Sequence, residues 1–83
     1  MAGFSASVTA RYQMIRNPSD FGKGLRQRRR AVGLSQGEVA DVVGVNRRVI
    51  GELERGKPTV QLAIALRVAE ALGLDVSFIE RGR

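Results

Sequence analysis

Residues 34–60 read LSQGEVADVVGVNRRVIGELERGKPTV, and the fold turns on them. Ser35 followed three positions later by Glu38 is a capping box, in which each side chain can satisfy a backbone N–H at a helix start. A helix is therefore expected over Gln36–Val43, and Gly44 can take the positive φ that ends it. Asn46 can cap a further helix after a turn of about three residues. That second helix is expected from Arg47 to Glu54 or Arg55, stopped by Gly56. Ile50 and Leu53 share a face and can meet Val39, Ala40 and Val43, which leaves Arg47, Arg48, Gly51 and Glu52 toward solvent.

On the N-terminal side, Asn17 followed by Pro18, with Asp20 in the first turn and Gly33 as a stop, predicts a helix over Pro18–Val32. Phe21, Leu25 and Val32 line one face of it, and Arg29 falls on the same face, where an arginine needs a partner. Tyr12–Arg16 alternates as a short strand does, and residues 1–11, MAGFSASVTAR, read as a poorly ordered tail. On the C-terminal side, Pro58 and Thr59 prepare a fourth helix with Thr59 as cap, Leu72 near its end and Gly73 as the stop. Leu74, Val76 and Phe78 alternate with Asp75 and Ser77 as in a half-buried strand.

The chain has 83 residues, room for one compact domain. It contains neither cysteine nor histidine, which removes disulfides, thiolate nucleophiles, the usual zinc ligands and imidazole-based catalysis. No cofactor, no metal and no enzymatic activity are expected; the remaining acid/base candidates are scattered carboxylates such as Glu38 and Asp41. A net charge of +6 attracts polyanions, either nucleic acid or an anionic membrane. No apolar stretch is long enough for a membrane span or a signal peptide, so a soluble, cytoplasmic protein without a membrane partner is expected.

Two short helices joined by a tight turn and held by a third form the unit that presents its second helix to the DNA major groove. The exposed face has chemistry suited to base edges, since arginine reads guanine through O6 and N7, and glutamate can accept from the cytosine amino group. On another fold the same residues would be ordinary solvated charge. The run Arg26-Gln27-Arg28-Arg29-Arg30 reads as a solvated face, with peripheral phosphate contact or an acidic partner as the alternative. Phe21-Gly22-Lys23-Gly24 is too short for a phosphate-binding loop and lies inside a helix.

The Ser-Gln opening, the Gly-Val at the turn and the Ile-x-x-Leu-Glu-x-Gly-Lys ending of residues 34–60 resemble the Cro and phage-repressor type of helix-turn-helix, also called the XRE family. The resemblance extends from about Asn17 to Leu72. The whole chain is most similar to HipB-type antitoxins, in which a short extended segment precedes the helices and a strand follows them; Tyr12–Ile15 and Asp75–Glu80 occupy those places. The implied fold is mainly all-α, a four- to five-helix lambda-repressor-like domain with a short C-terminal strand, dimeric. Its implied parts are an N-terminal tail with a possible strand over residues 1–16, a DNA-binding domain over 17–73, and a dimerisation element over 74–83.

The resemblance also implies residue roles. Arg47, Arg48, Glu52 and Asn46 would read bases, while Gln36, Ser35, Arg55 and Lys57 would hold phosphates. Arg29 and Glu54 would form a structural ion pair linking the first and third helices. Val49 and Gly51 depart from the Thr or Ser often found at those places, and Gly51 lowers helix propensity by roughly 1 kcal/mol relative to Ala.

The implied function is a sequence-specific repressor of its own operon that binds a palindromic double-stranded operator and a HipA-like kinase toxin. A stand-alone phage-repressor-like regulator, and an interaction module that has lost DNA binding, are the alternatives. Apolar residues cover much of the fourth helix's circumference, which predicts a homodimer with Leu66, Val76 and Phe78 in its interface. The C-terminal strand would pair with its copy in the second subunit or with Tyr12–Arg16 of the same chain.

Overall fold

Asn17 opens the first helix by accepting the Asp20 N–H on its side-chain oxygen at 2.8 Å, and Pro18 follows with its φ already helical. This helix, α1, spans Pro18–Ala31, with Val32 as its C-cap and Gly33 in the left-handed region at φ 79°. The structure is a computed structural model that describes residues 12–82; the expectation of a poorly ordered tail over residues 1–11 lies outside them. Three further helices follow among the described residues: α2 (Gln36–Val43), α3 (Arg47–Glu54) and α4 (Leu62–Ala71).

The capping box at α2 forms in full. Ser35 Oγ accepts the Glu38 N–H at 3.0 Å, and Glu38 Oε1 accepts the Ser35 N–H at 2.8 Å. Those bonds hold the exposed Glu38 carboxyl below the usual carboxylate range, the backbone N–H contributing most. Gly44 ends α2 at φ 84°, and Gly44-Val45-Asn46 carries the chain into α3. Helix α2 packs against both α3 and α4, and α1 against α3.

The core forms where these helices meet: Leu25 from α1, Val39, Ala40 and Val43 from α2, Ile50 and Leu53 from α3, and Ala65, Val68 and Ala69 from α4, closed by Leu72. Ile50 is completely buried, so the face that carries it decides how α3 sits. Two arginines tie carbonyls that a helix end would otherwise leave orphaned. Arg28 Nε donates to Leu72 O at 2.8 Å, and Arg67 Nη2 donates to Val43 O.

Several expectations are corrected. No strand forms over Tyr12–Arg16 or Leu74–Ile79; the described residues contain helices and irregular segments alone. Alternation along one segment makes a strand only when a second backbone edge is in reach, and neither segment finds one among the described residues. Arg16 N–H instead donates to Asp20 Oδ2 at 3.0 Å, tying the leading segment to α1, while the Leu74 N–H closes onto Ala69 O at 2.9 Å.

Thr59 does not cap the last helix. Lys57-Pro58-Thr59-Val60 forms a turn with the Val60 N–H directed at Lys57 O, Pro58 occupying the second place where its fixed φ fits, and α4 begins only at Leu62. Val32 lies beyond the end of α1 and is 42% exposed. Gly51, expected toward solvent, is buried.

Candidate nucleic-acid interface

Helix α3 is divided by the packing of its apolar residues. Ile50 and Leu53 enter the core, while Arg47 and Arg48, in the first turn of the helix, are both exposed. Asn46 precedes them and accepts the Arg48 N–H on Oδ1 at 2.8 Å, which fixes the side chain at the cap and leaves its amide N–H groups available to a ligand. Glu52 is half-buried and takes a 3.3 Å contact from Lys57 Nζ. An ion pair so long and so exposed contributes little, and a cytosine amino group could replace Lys57 at small cost.

The buried side of α3 ends in a carboxylate. Glu54 is 8% exposed and is met by three donors: Arg29 Nε at 2.6 Å, Arg29 Nη2 at 3.0 Å and Gln36 Nε2 at 3.0 Å. Burial pushes this carboxyl up, but the Arg29 and Gln36 hydrogen bonds, aided by the charges of Arg29 and Arg26, outweigh it and hold Glu54 below the usual carboxylate range. Arg29 is raised in turn, chiefly by its hydrogen bond to Glu54. Its remaining nitrogen, Nη1, donates to Leu34 O at 2.8 Å. One arginine thus joins α1, the α1–α2 connection and α3.

Gln36 stands at the start of α2 with its amide clamped from behind by Glu54. Arg55, the C-cap of α3, is exposed, and its guanidinium comes to the same place: Arg55 Nη1 and both polar atoms of the Gln36 amide lie within 4 Å of the point where a Cβ on Gly51 would sit. The structure therefore brings Gln36 and Arg55 together at the flank of α3, with Asn46, Arg47 and Arg48 at its first turn. Ser35 is exposed beside Gln36, with its hydroxyl oxygen engaged in the cap. Leu66, Val76 and Phe78 belong to α4 and the segment after it, and are 41%, 57% and 104% exposed.

One role escaped the sequence. Gly22 is buried in α1, where an added Cβ would lie 2.4 Å from Leu53 O and 2.6 Å from Glu54 O, so it lets α1 and α3 meet backbone to backbone. Gly51, already singled out in the sequence as a departure from the family pattern, is covered by polar side-chain tips. The crowding at Gly22 depends on a neighbour distant in sequence, and no local pattern marks it.

The chain matches the helix-turn-helix family over residues 25–83. It belongs to that family, and to its XRE type. An uncharacterized HTH-type transcriptional regulator of Sinorhizobium fredii is 40% identical over 68 residues, which is 82% of this chain and 90% of that protein. A second, from Methanothermobacter thermautotrophicus, is 45% identical over 61% of this chain and 74% of its own length.

Among solved structures, HipB in its complex with the O4 20mer superimposes with a TM-score of 0.78 over 86% of this chain and all of that one, at 20% identity, a likeness of fold. The restriction-modification controller protein C.AhdI of Aeromonas hydrophila has a TM-score of 0.63 at 40% identity, covering 70% of this chain and 88% of its own. This family member is thus a DNA-binding helix-turn-helix regulator with a four-helix HipB-like fold. Among the described residues no group of three or more carboxylates is arranged to hold a metal ion, and no helix is long and apolar enough to cross a membrane.

Proposed function

We propose that this regulator is a sequence-specific repressor that binds a palindromic double-stranded operator as a homodimer, with α3 in the major groove. The observation that carries the reading is the division of α3: Ile50 and Leu53 buried in the core, Arg47 and Arg48 exposed at its first turn, with Gln36 and Arg55 together at its flank. Arg47, Arg48, Asn46 and Glu52 read bases; Ser35, Gln36, Arg55 and Lys57 hold phosphates. Residues 17–73 form the DNA-binding unit, residues 74–83 pair the subunits through Val76 and Phe78 together with Leu66, and the protein works in the cytoplasm. The exposure of those three apolar side chains, Phe78 completely so, is what leaves them open to such an interface.

HipB has also been solved with HipA and the O2-O3 DNA, and a HipA-like kinase toxin bound by this chain as an antitoxin is the reading that likeness supports. The 40% identity to a restriction-modification controller favours a second one, a stand-alone regulator of a neighbouring promoter. Co-purification with the product of an adjacent kinase gene separates the two.

DNA binding is tested by gel shift on the protein's own promoter across salt. With six or more phosphates contacted, affinity should fall about 10³-fold or more between 50 and 200 mM salt. Arg47→Ala or Arg48→Ala should weaken the correct operator by roughly 1–3 kcal/mol and relax preference at one base pair, whereas equal loss on unrelated DNA would reduce that arginine to a phosphate contact. No binding to any duplex at 50 mM salt leaves an interaction module as the surviving reading.

A further inference from the structure

We infer that Gly51 is a positioning residue for the DNA backbone: lacking a Cβ, it lets the Arg55 guanidinium and the Gln36 amide lie together against α3, where both can hold one phosphate group. This rests on the DNA-binding reading above and goes further in giving the glycine a role of its own.

Glycine is the least favourable residue other than proline inside a helix, so its presence in the second half of an eight-residue helix calls for a cause. The backbone supplies none, because the glycines of positive φ are Gly33, Gly44, Gly56 and Gly73, and Gly51 is not among them. Core packing supplies none either. At Gly22 an added Cβ would strike the carbonyl oxygen of Leu53 at 2.4 Å, which cannot give way, whereas at Gly51 it would meet only polar side-chain tips. Those tips are Arg55 Nη1 at 3.3 Å, Gln36 Oε1 at 3.7 Å and Gln36 Nε2 at 3.9 Å.

Both tips are equipped to bind an anion. The Gln36 nitrogen carries two protons; one is given to Glu54 at 3.0 Å, which fixes the amide, and the other is left for a phosphate oxygen. Arg55 brings a positive charge and a fork of donors suited to phosphate. A methyl group at position 51 would press on the guanidinium more tightly than side chains normally pack. The guanidinium is the flexible partner, so it would move away from Gln36 while the helix stays in place.

The test is a titration of operator and unrelated duplexes from 50 to 200 mM salt with the wild type, Gly51→Ala, Arg55→Ala and the double variant, alongside thermal unfolding. Gly51→Ala should melt a few degrees higher, from its better helix propensity, yet bind both duplexes about three- to tenfold more weakly. Its log affinity against log salt should flatten by up to about one, the mark of a lost phosphate contact, and it should cost nothing further once Arg55 is alanine.

Unchanged affinity and slope in Gly51→Ala would overturn the inference. So would a loss that persists in full without Arg55, or one confined to the operator, since either places the effect at the bases. Failure of the wild type to bind any duplex overturns the DNA-binding reading and the inference with it, an outcome distinct from the others.

Discussion

Replacing Arg29 by alanine removes the partner of a buried carboxylate. Arg29 meets Glu54 through two nitrogens, at 2.6 and 3.0 Å, and Leu34 O through a third at 2.8 Å, with the two side chains 12% and 4% exposed. In the variant Glu54 keeps only Gln36, and leaving a buried charge without its partner costs about 3–5 kcal/mol. A domain of this size has a total stability of roughly 4–12 kcal/mol. At about 4–8 °C per kcal/mol the melting temperature should fall by about 12 °C or more.

Helix content followed by circular dichroism on heating, or against urea, measures this, with Arg29→Met/Glu54→Met as the control that removes both charges at little cost. The pH dependence carries the same logic. In the wild type the Glu54 pKa is depressed, so its contribution is complete above the unfolded value of about 4.3 and is lost as pH falls through the folded one. Without Arg29, burial is opposed by Gln36 and the distant Arg26 charge alone, the folded value rises, and protonation relieves the variant. The gap between the two proteins should therefore narrow as pH is lowered from 7 toward 4. A loss below about 1 kcal/mol at pH 7, typical of an exposed pair, would refute the argument.

Gly22→Ala should destabilise by roughly 1–3 kcal/mol in urea despite its better helix propensity, because the new Cβ meets backbone oxygens of α3 that cannot yield; an unchanged midpoint would show that α1 and α3 do not approach so closely. Removal of residues 76–83 should shift the protein toward monomer in sedimentation while leaving the helical circular dichroism spectrum intact, and a truncated chain that stays dimeric would take Val76 and Phe78 out of the interface and leave it to Leu66 and the rest of α4.

Features written within a few consecutive residues are the legible ones. Ser35 and Glu38, Asn17 before Pro18, and Gly44 with its φ of 84° each act on backbone groups within one helical turn, so the residues alone place α1, α2 and α3 to within a residue or so. The segments at both ends mislead for the opposite reason. Alternation at Tyr12–Arg16 and Leu74–Phe78 states only that two faces differ, and a strand also needs a partner edge that no local pattern can specify. Thr59 fails as a cap because Pro58 beside it favours a turn more strongly than a threonine favours a helix start. The pairing of Arg29 with Glu54, 25 positions apart, is reached through family resemblance, and the crowding at Gly22 and Gly51 needs the fold itself.

Glu54 is where stability and the interface meet. Its two oxygens receive Arg29 from α1 and Gln36 from the start of α2, so the bonds that seat α3 in the domain also aim the Gln36 amide along its flank. On the proposed reading, a change at Gln36 or Glu54 would then alter folding and phosphate contact together. Arg47 and Arg48 carry no such double duty: they are exposed, and their backbone needs are met by Asn46 and the helix. If Arg47 and Arg48 read bases as proposed, selection for a new operator can work at those positions with little effect on stability, while a substitution at Gln36 would disturb its bond to Glu54 as well. On the proposed reading, base preference is then the adjustable part of this surface, because the residues that α3 gives to the core are Ile50 and Leu53 rather than the exposed arginines.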